Sequence, residues 1–377
     1  MRIAHIITTL STGGAETMLY KLLSAMDRDR FAVEVYSLAD TGSIGGAIVR
    51  DLGIPVFPLR STSGRTTVSS AFGLLAHLRR SRPHIIQTWM YHANLLGGMA
   101  GRALGRPVVW NIRRGSLAHL RRRTLWISRA CSAVSSSLPA RIVCCSADSL
   151  ERHAAAGYAR TRMTVIPNGF DLSRFRPDPV LRQSLRDEMG AGPDTPLFGL
   201  LARFDPAKDH ETFLRCAAIV HARCPNARFL LCGKDIDGEN RRLSGWVDAL
   251  GIGGCCVLAG LRKDAPRILA GLDVLVSSSA CEGFPNVLGE AMACGVPCAA
   301  TDVGDSGLII GASGLLAPPG DPAALAARCL ELIEMGPHRR AELGAAARRR
   351  IETHFSMPAV ALQYQDLYAK VVETCAA

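Results

Sequence analysis

The sequence predicts an α/β protein of two domains, each a parallel sheet flanked by helices, with a cleft between them. Three observations carry this. Short apolar runs of strand length alternate with helix-length segments along the whole chain. The alternation breaks once, at Pro167-Asn168-Gly169, and then restarts. A chain of 377 residues is long for one core and suits two, at roughly 100–200 residues each.

In the first half the expected strands are Ile3–Ile7, Val33–Leu38, Pro55–Pro58, Ile85–Thr88, Val108–Asn111, Ile142–Cys145 and Thr164–Ile166. Helical periodicity lies between them, as at Ala15–Ala25, Ser69–Leu78 and Ser146–Ala156. Arg176-Pro177-Asp178-Pro179 reads as a linker-like stretch. The second half repeats the pattern, with strands at Leu197–Leu201, Phe229–Cys232, Cys256–Leu258, Val274–Val276, Cys298–Ala300 and Leu315–Ala317. Helices are expected near Glu211–Ala222, Asn240–Leu250, Asn286–Cys294 and Ala323–Glu334. The domain limits are then 1–170 and 171–355, with a C-terminal helix over 356–377 that packs back on the first domain.

Hydrophobic residues make up 48% and charged residues 20%, a globular balance that argues against disorder. The longest charge-free run, Pro83–Gly101, holds two His, a Gln, an Asn and three Gly, too polar to span lipid. No export signal is expected, because His5 interrupts the first apolar run and a Ser/Thr/Gly loop follows at once. The thirteen cysteines occur singly or as adjacent pairs, without a C-x-x-C. They read as reduced, small apolar residues of a cytoplasmic protein, not as a zinc or disulfide framework.

Charge is unevenly shared. Residues 1–170 carry a balance of +14 and the remainder −3. Between Leu52 and Ala147 no acid occurs, while fourteen arginines do, among them Arg113, Arg114, Arg121, Arg122 and Arg123. Such a body is drawn to phosphates, an anionic membrane surface being the first reading and an unspecific solvated surface the second. Nucleic acid is not expected, since aromatic residues do not interleave with the basic runs.

The motif search first excludes. G-x-G-x-x-G, the P-loop, G-x-S-x-G and H-E-x-x-H are all absent. Three positive signals remain. Gly13-Gly14 sits at a strand-to-helix junction, where helix amides can meet an anion; alone it reads equally as a tight turn. Arg203 and Lys208 lie five apart on a loop at the carboxyl end of a strand, where they can converge on one diphosphate; alone the pair reads as a solvated loop. Glu282-Gly283-Phe284-Pro285-Asn286-Val287-Leu288-Gly289-Glu290 follows another strand, with Pro285 suited to the first turn of a helix. Eight residues at helical rise span ~12 Å at most, so Glu282 and Glu290 suit hydroxyls at either end of a bound diphosphate.

These residues resemble the retaining glycosyltransferases of family 4, whose GT-B architecture has two facing Rossmann-like domains. Glu282 and Glu290 are similar to that family's paired glutamates, and Arg203 and Lys208 to its diphosphate-binding pair. Gly13-Gly14 is similar to its glycine loop, and Pro167-Asn168-Gly169-Phe170-Asp171 to its hinge segment. Tyr91-His92-Ala93-Asn94 resembles the stretch that places a His beside the donor sugar. One departure is Leu201-Ala202, where the family usually has a glycine before the arginine.

The resemblance implies retaining transfer of a sugar from a UDP- or GDP-sugar to a sugar or lipid-linked acceptor, in cell-surface polysaccharide or glycolipid synthesis. Glu282, Arg203, Lys208 and His92 would be catalytic. Glu290, Gly13, Gly14, Gly283, Phe284, Asn286, Val287 and Leu288 would bind the donor. The five arginines named above would meet the acceptor or the membrane, from the cytoplasmic side. No cofactor or metal is implied, and the D-x-D triplets Asp27-Arg28-Asp29 and Asp235-Ile236-Asp237 are not expected to hold one. The alternatives are a hydrolysing nucleotide-sugar 2-epimerase or phosphorylase of the same architecture, and a non-catalytic sugar-nucleotide or membrane-binding scaffold.

Overall fold

Thirteen short strands among the described residues assemble into two separate parallel sheets of seven and six strands. The computed structural model describes residues 1–11, 13–59, 68–115, 117 and 121–376, so Thr12 of the glycine loop lies outside it. The chain divides into one unit of Met1–Gly169 with Met357–Ala377, and a second of Phe170–Ser356.

The first unit runs β1 (Arg2–Ile7), α1 (Gly14–Ala25), β2 (Ala32–Ser37), α2 (Gly42–Leu52), β3 (Val56–Pro58), α3 (Val68–Ser81), β4 (Ile85–Trp89) and α4 (Met90–Leu104). It continues with β5 (Val108–Ile112), α5 (Arg122–Val134), β6 (Arg141–Cys144), α6 (Ala147–Ala155) and β7 (Met163–Val165). Its sheet order is β3-β2-β1-β4-β5-β6-β7. The second unit runs α7 (Pro179–Glu188), β8 (Leu197–Leu201), α8 (His210–Arg223), β9 (Arg228–Cys232), α9 (Arg241–Ala249), β10 (Cys256–Leu258) and α10 (Ala265–Gly271). Then come β11 (Val274–Ser277), α11 (Asn286–Ala293), β12 (Cys298–Thr301), α12 (Ser306–Ile310), β13 (Leu315–Ala317), α13 (Pro322–Glu334) and α14 (Gly336–His354), in the sheet order β10-β9-β8-β11-β12-β13. The last helix, α15 (Met357–Ala376), belongs to the first unit.

Central strands are buried on both faces, which is why they read as continuous apolar runs rather than alternating ones. In β1, Ile3 and Ile7 enter the core shared with α1 and α15, while Ala4 and Ile6 enter the core on the opposite face. His5 interrupts that run yet stays buried, because Trp89 donates its indole N–H to the His5 Nδ1 at 3.1 Å. Burial pushes the His5 pKa down to about 3, so the ring is neutral. Helix α15 presents Val360, Ala361, Tyr364, Tyr368 and Val371 to the same core. In the second unit one core gathers Phe198, Phe213, Phe229, Val274 and Leu325.

One sequence expectation is corrected here and one is borne out. The linker-like stretch Arg176–Pro179 lies outside any element up to its last residue and leads into α7: Asp178 accepts the Val180 and Leu181 amides as N-cap, and Pro179 opens the helix without a missing bond. Pro285 sits one residue before α11, at the N-cap, instead of in its first turn. None of the cysteines forms a disulfide, and most are buried. Among the described residues no helix is long and apolar enough to cross a membrane.

Candidate functional site

Both sheets reverse direction of growth once, the first between β1 and β4 and the second between β8 and β11. Loops leaving adjacent strands part there, opening a crevice at the carboxyl ends where ligands bind in open α/β sheets. Every donor or catalytic residue expected from the sequence follows one of these four strands.

In the second unit the loop after β8 folds into a 3-10 turn over Pro206–Lys208. Asp205 caps it by accepting the Ala207 amide at 3.0 Å, and the same carboxylate receives the Arg203 Nε and Nη2 at 3.0 and 2.9 Å. The Ala207 amide, with Arg203 next, holds the Asp205 carboxyl below its ordinary range. The carbonyl of Ala207 then accepts the Ala280 and Cys281 amides at 2.9 and 3.3 Å, tying this turn to the loop after β11. The Ser278 hydroxyl adds bonds to the Lys208 and Asp209 carbonyls at 3.0 and 2.9 Å. Asp209, at φ 45, takes the left-handed conformation that turns the chain into α8.

With the two backbones locked, the Lys208 ammonium forms an ion pair with Glu282 Oε1, their side chains only 23% and 12% exposed. Ser279 Oγ donates to the same oxygen at 2.8 Å, and Thr301 Oγ1 at the end of β12 fixes the Ser279 carbonyl at 2.6 Å. Behind Glu282, the Asp305 amide bonds the Gly283 carbonyl at 2.9 Å. Gly304, at φ 55, makes that turn; a Cβ there would lie 2.6 Å from the Glu282 carbonyl oxygen. Phe284 is buried against Phe170 and Phe355, at ring separations of 6.1 and 6.0 Å. Phe170 in turn lies against Gly289, where a Cβ would meet the ring at 2.1 Å. Helix α11 begins at Asn286 with no side-chain cap and no acid in its first turn, and Val287, Leu288 and half-buried Glu290 follow within two turns.

The structure therefore joins Lys208 directly to Glu282. The Arg203 guanidinium is held by Asp205 and is 66% exposed. Asp205, Ser278, Ser279 and Thr301 were not singled out from sequence. Their signal was small polar residues placed immediately after strands that turn out to be neighbours.

In the first unit Gly13 is the N-cap of α1 and Gly14 its first residue. The Glu16 carboxylate folds back against Gly13, its pKa raised by burial. His92 lies in the first turn of α4 after β4, half-buried, with burial lowering its pKa. Met90, which opens α4, has φ 69, a strained conformation for a residue with a side chain.

The arginines separate into two kinds. Arg113 is corrected from its expected docking role. Its guanidinium turns inward to the Ile166 carbonyl at 2.9 Å, Asn168 Oδ1 at 3.1 Å and the Tyr364 hydroxyl, and it lies over the Trp89 and Tyr364 rings. Burial lowers its pKa to about 10. It braces α15 and the Pro167–Gly169 segment. Arg114, Arg121, Arg122 and Arg123 are exposed, and Trp126 on α5 is 68% exposed beside Arg129, which lies 5.4 Å over its ring. Asp27 of the first acidic triplet accepts the Asp29 and Arg30 amides, and Asp237 of the second the Glu239 amide. Among the described residues no three His, Cys, Asp or Glu side chains gather as metal ligands.

Two family profiles match this chain: Glycosyltransferase Family 4 over residues 12–174 and Glycosyl transferases group 1 over residues 195–335. A D-inositol 3-phosphate glycosyltransferase of Rhodococcus erythropolis is 34% identical over 209 residues, covering 53% of this chain but only 47% of its own length. The UDP-Gal:alpha-D-GlcNAc-diphosphoundecaprenol alpha-1,3-galactosyltransferase of Escherichia coli is 22% identical over 82% of this chain and 81% of its own. The crystal structure of Anabaena HepE in complex with UDP superposes with a TM-score of 0.84 at 24% identity, over 98% of this chain and all of that one. With one enzyme family's profiles matched in succession and the two parallel-sheet domains of its GT-B fold both present, the chain belongs to the family 4 glycosyltransferases and is a sugar-transferring enzyme.

Proposed function

We propose that the chain transfers a sugar, with its anomeric configuration retained, from a nucleotide diphosphate sugar to an acceptor hydroxyl in cell-surface polysaccharide or glycolipid synthesis. The observation that carries this is the Lys208–Glu282 pair, fixed by Ser278 and Ser279 at the reversal point of the second sheet. It supplies a cation for a departing diphosphate and a carboxylate for a sugar that becomes positive, within reach of each other. HepE has been solved with UDP and with UDP-glucose, and the Escherichia coli relative carries UDP-Gal in its name, which supports a nucleotide sugar here.

In this reading the bond between the anomeric carbon and the diphosphate oxygen breaks first. Lys208, the leading amides of α11 over Asn286–Leu288, and Arg203 swung from Asp205 neutralise the leaving group. Glu282 binds sugar hydroxyls and favours the cationic ring, His92 approaches the sugar as a neutral donor, and Glu290 holds the ribose. The acceptor oxygen bonds the anomeric carbon on the face the diphosphate leaves, and its proton passes to the released phosphate oxygen. No metal or cofactor takes part.

A thermal-shift screen against UDP-, GDP- and ADP-sugars tests the donor assignment. One donor should stabilise the chain, and Glu290→Ala should abolish that shift; an unchanged response would refute the ribose role. Isomerised free sugar from donor alone would point to the epimerase instead.

The acceptor belongs to the first unit, and a lipid-linked diphosphate fits its charge. Arg121, Arg122 and Arg123 with exposed Trp126 form a surface suited to an anionic bilayer, where each arginine adds roughly 1 kcal/mol. Replacing the three by Ser should release the chain from phosphatidylglycerol vesicles in co-sedimentation while donor hydrolysis continues. Equal sedimentation of variant and wild type would end that proposal.

A further inference from the structure

At the opposite, amino-terminal edge of the second sheet, three guanidinium groups surround one carboxylate. Asp273, just before β11, is buried, and it accepts Arg182 at 2.6 Å, Arg186 at 2.9 Å and the Leu197 amide at 2.9 Å. Arg340 of α14 approaches the same Oδ1 as Arg182, at 3.9 Å. One negative charge is set against three positive ones.

The three arginines are not equally satisfied. Arg186 also bonds the carbonyls of Gly192, Pro193 and Thr195, and Arg182 those of Gly271 and Leu272 at 3.2 and 2.9 Å. Among the described residues Arg340 donates only to the Leu332 and Ile333 carbonyls, at 3.4 and 3.5 Å, the outer limit of a hydrogen bond, although its side chain is just 16% exposed. Burial lowers its pKa, with Asp273 opposing that and Arg182 and Arg186 adding to it. A largely covered, weakly bonded cation beside two others is costly unless an anion completes it.

Space for that anion exists. Arg182, Asp273 and Arg340 line a cavity of about 330 Å³ together with Pro177, Gly295 and Pro337. Asp178 also lines it, but its carboxylate is engaged by the α7 amides and by Arg176 at 4.0 Å. Because Arg182 and Arg340 point their Nη2 atoms at one oxygen, those atoms lie within about 6.5 Å of each other. A tetrahedral oxyanion accepting bonds of ~2.8 Å from each spans that gap.

We infer that this cavity is a second anion site of the enzyme, taking a phosphate or phosphomonoester dianion between Arg182 and Arg340. Two negative charges match the two that Asp273 leaves uncompensated. The site is distinct from the Lys208–Glu282 site: Asp273 precedes β11 and Glu282 follows it, and four strand residues separate the two ends by ~13 Å.

The test is calorimetric titration of the full chain with inorganic phosphate at constant ionic strength, in parallel with glycerol phosphate and with chloride. Phosphate should bind and raise the melting temperature where chloride does not; tighter binding of the ester than of free phosphate would identify a monoester as the natural occupant, and the reverse would identify phosphate itself. Arg340→Gln should weaken phosphate about tenfold or more, whereas Arg203→Ala/Lys208→Ala, which disables the other phosphate-binding loop, should leave this binding in place. Ala341→Glu, at an exposed position lining the cavity, should weaken it as well and guards against a folding defect in Arg340→Gln. No phosphate-specific binding, binding untouched by both cavity variants, or binding lost only in the Arg203/Lys208 variant would each overturn the inference.

Discussion

Lys208→Ala is the most direct probe of the proposed chemistry. In the folded chain the Lys208 ammonium and the Ser279 hydroxyl share one oxygen of a Glu282 that is 12% exposed. Removing the ammonium leaves the carboxylate with Ser279 alone. The pair is largely but not fully buried, so the stability loss should fall at ~1–3 kcal/mol, below the cost of orphaning a fully buried charge. For a unit of this size that is ~2–4 °C per kcal/mol. The catalytic loss should be larger. A preorganised donor aimed at developing charge is worth about 2.7–4 kcal/mol, or ~100- to 1000-fold in rate. Nucleotide release from the preferred donor gives kcat/KM, and calorimetry with the nucleoside diphosphate separates binding from chemistry. Lys208→Arg should recover only part of the loss, since a planar fork cannot take the place of a point charge held between Glu282 and the turn. A Lys208→Ala enzyme within about fivefold of wild type in kcat/KM would refute the idea that this cation meets the leaving group.

Two further outcomes follow from the same geometry. Gly304→Ala forces a side chain into a left-handed turn and against the Glu282 carbonyl, at 2.6 Å; it should cost ~1–3 kcal/mol in urea unfolding and lower donor affinity by displacing Glu282, and an unchanged donor Kd would show that the turn does not position the acid. His210 sits buried against Phe204, and burial lowers its pKa to about 4. The unfolded chain takes up this proton near pH 6.5 and the folded chain only near 4, so stability is full above 6.5 and falls as pH drops through that window, by about 2 kcal/mol at pH 5. The wild-type loss between pH 7 and 5 should exceed that of His210→Phe by this amount; parallel curves would contradict it.

The strands were legible because doubly buried parallel strands are short, continuous and apolar, and all thirteen appear near their expected limits. Helices such as α2 and α4 were harder to read. The Gly-Ser-Ile-Gly-Gly start of α2 resembles a loop, and α4 buries small residues on several sides and so shows no single apolar stripe. Strand order is not written in any local pattern, and with it went the knowledge that Ser279 and Thr301 would be neighbours. Glu282 and Lys208 announced themselves by charge at the ends of strands. Asp205 did not, since an acid two residues from an arginine in a polar loop looks like solvated pairing. Arg113 misled for a related reason: it stands beside exposed arginines in the chain, and partners distant in sequence, Ile166, Asn168 and Tyr364, turn it inward.

The chain passes from the first unit to the second after Gly169 and comes back after Ser356, and these crossings are stitched together by the Phe170 amide on the Phe355 carbonyl at 2.8 Å. The second unit is thus a cassette spliced into the interior of its host, with entrance and exit side by side. A fragment ending at residue 169 would be missing Tyr364, Tyr368 and the rest of the helix that closes its own core. Chimaeras that exchange this unit between relatives should therefore graft 170–356 as an insert and keep the host's tail, whereas a fusion at a single junction would pair one protein's body with another's keystone.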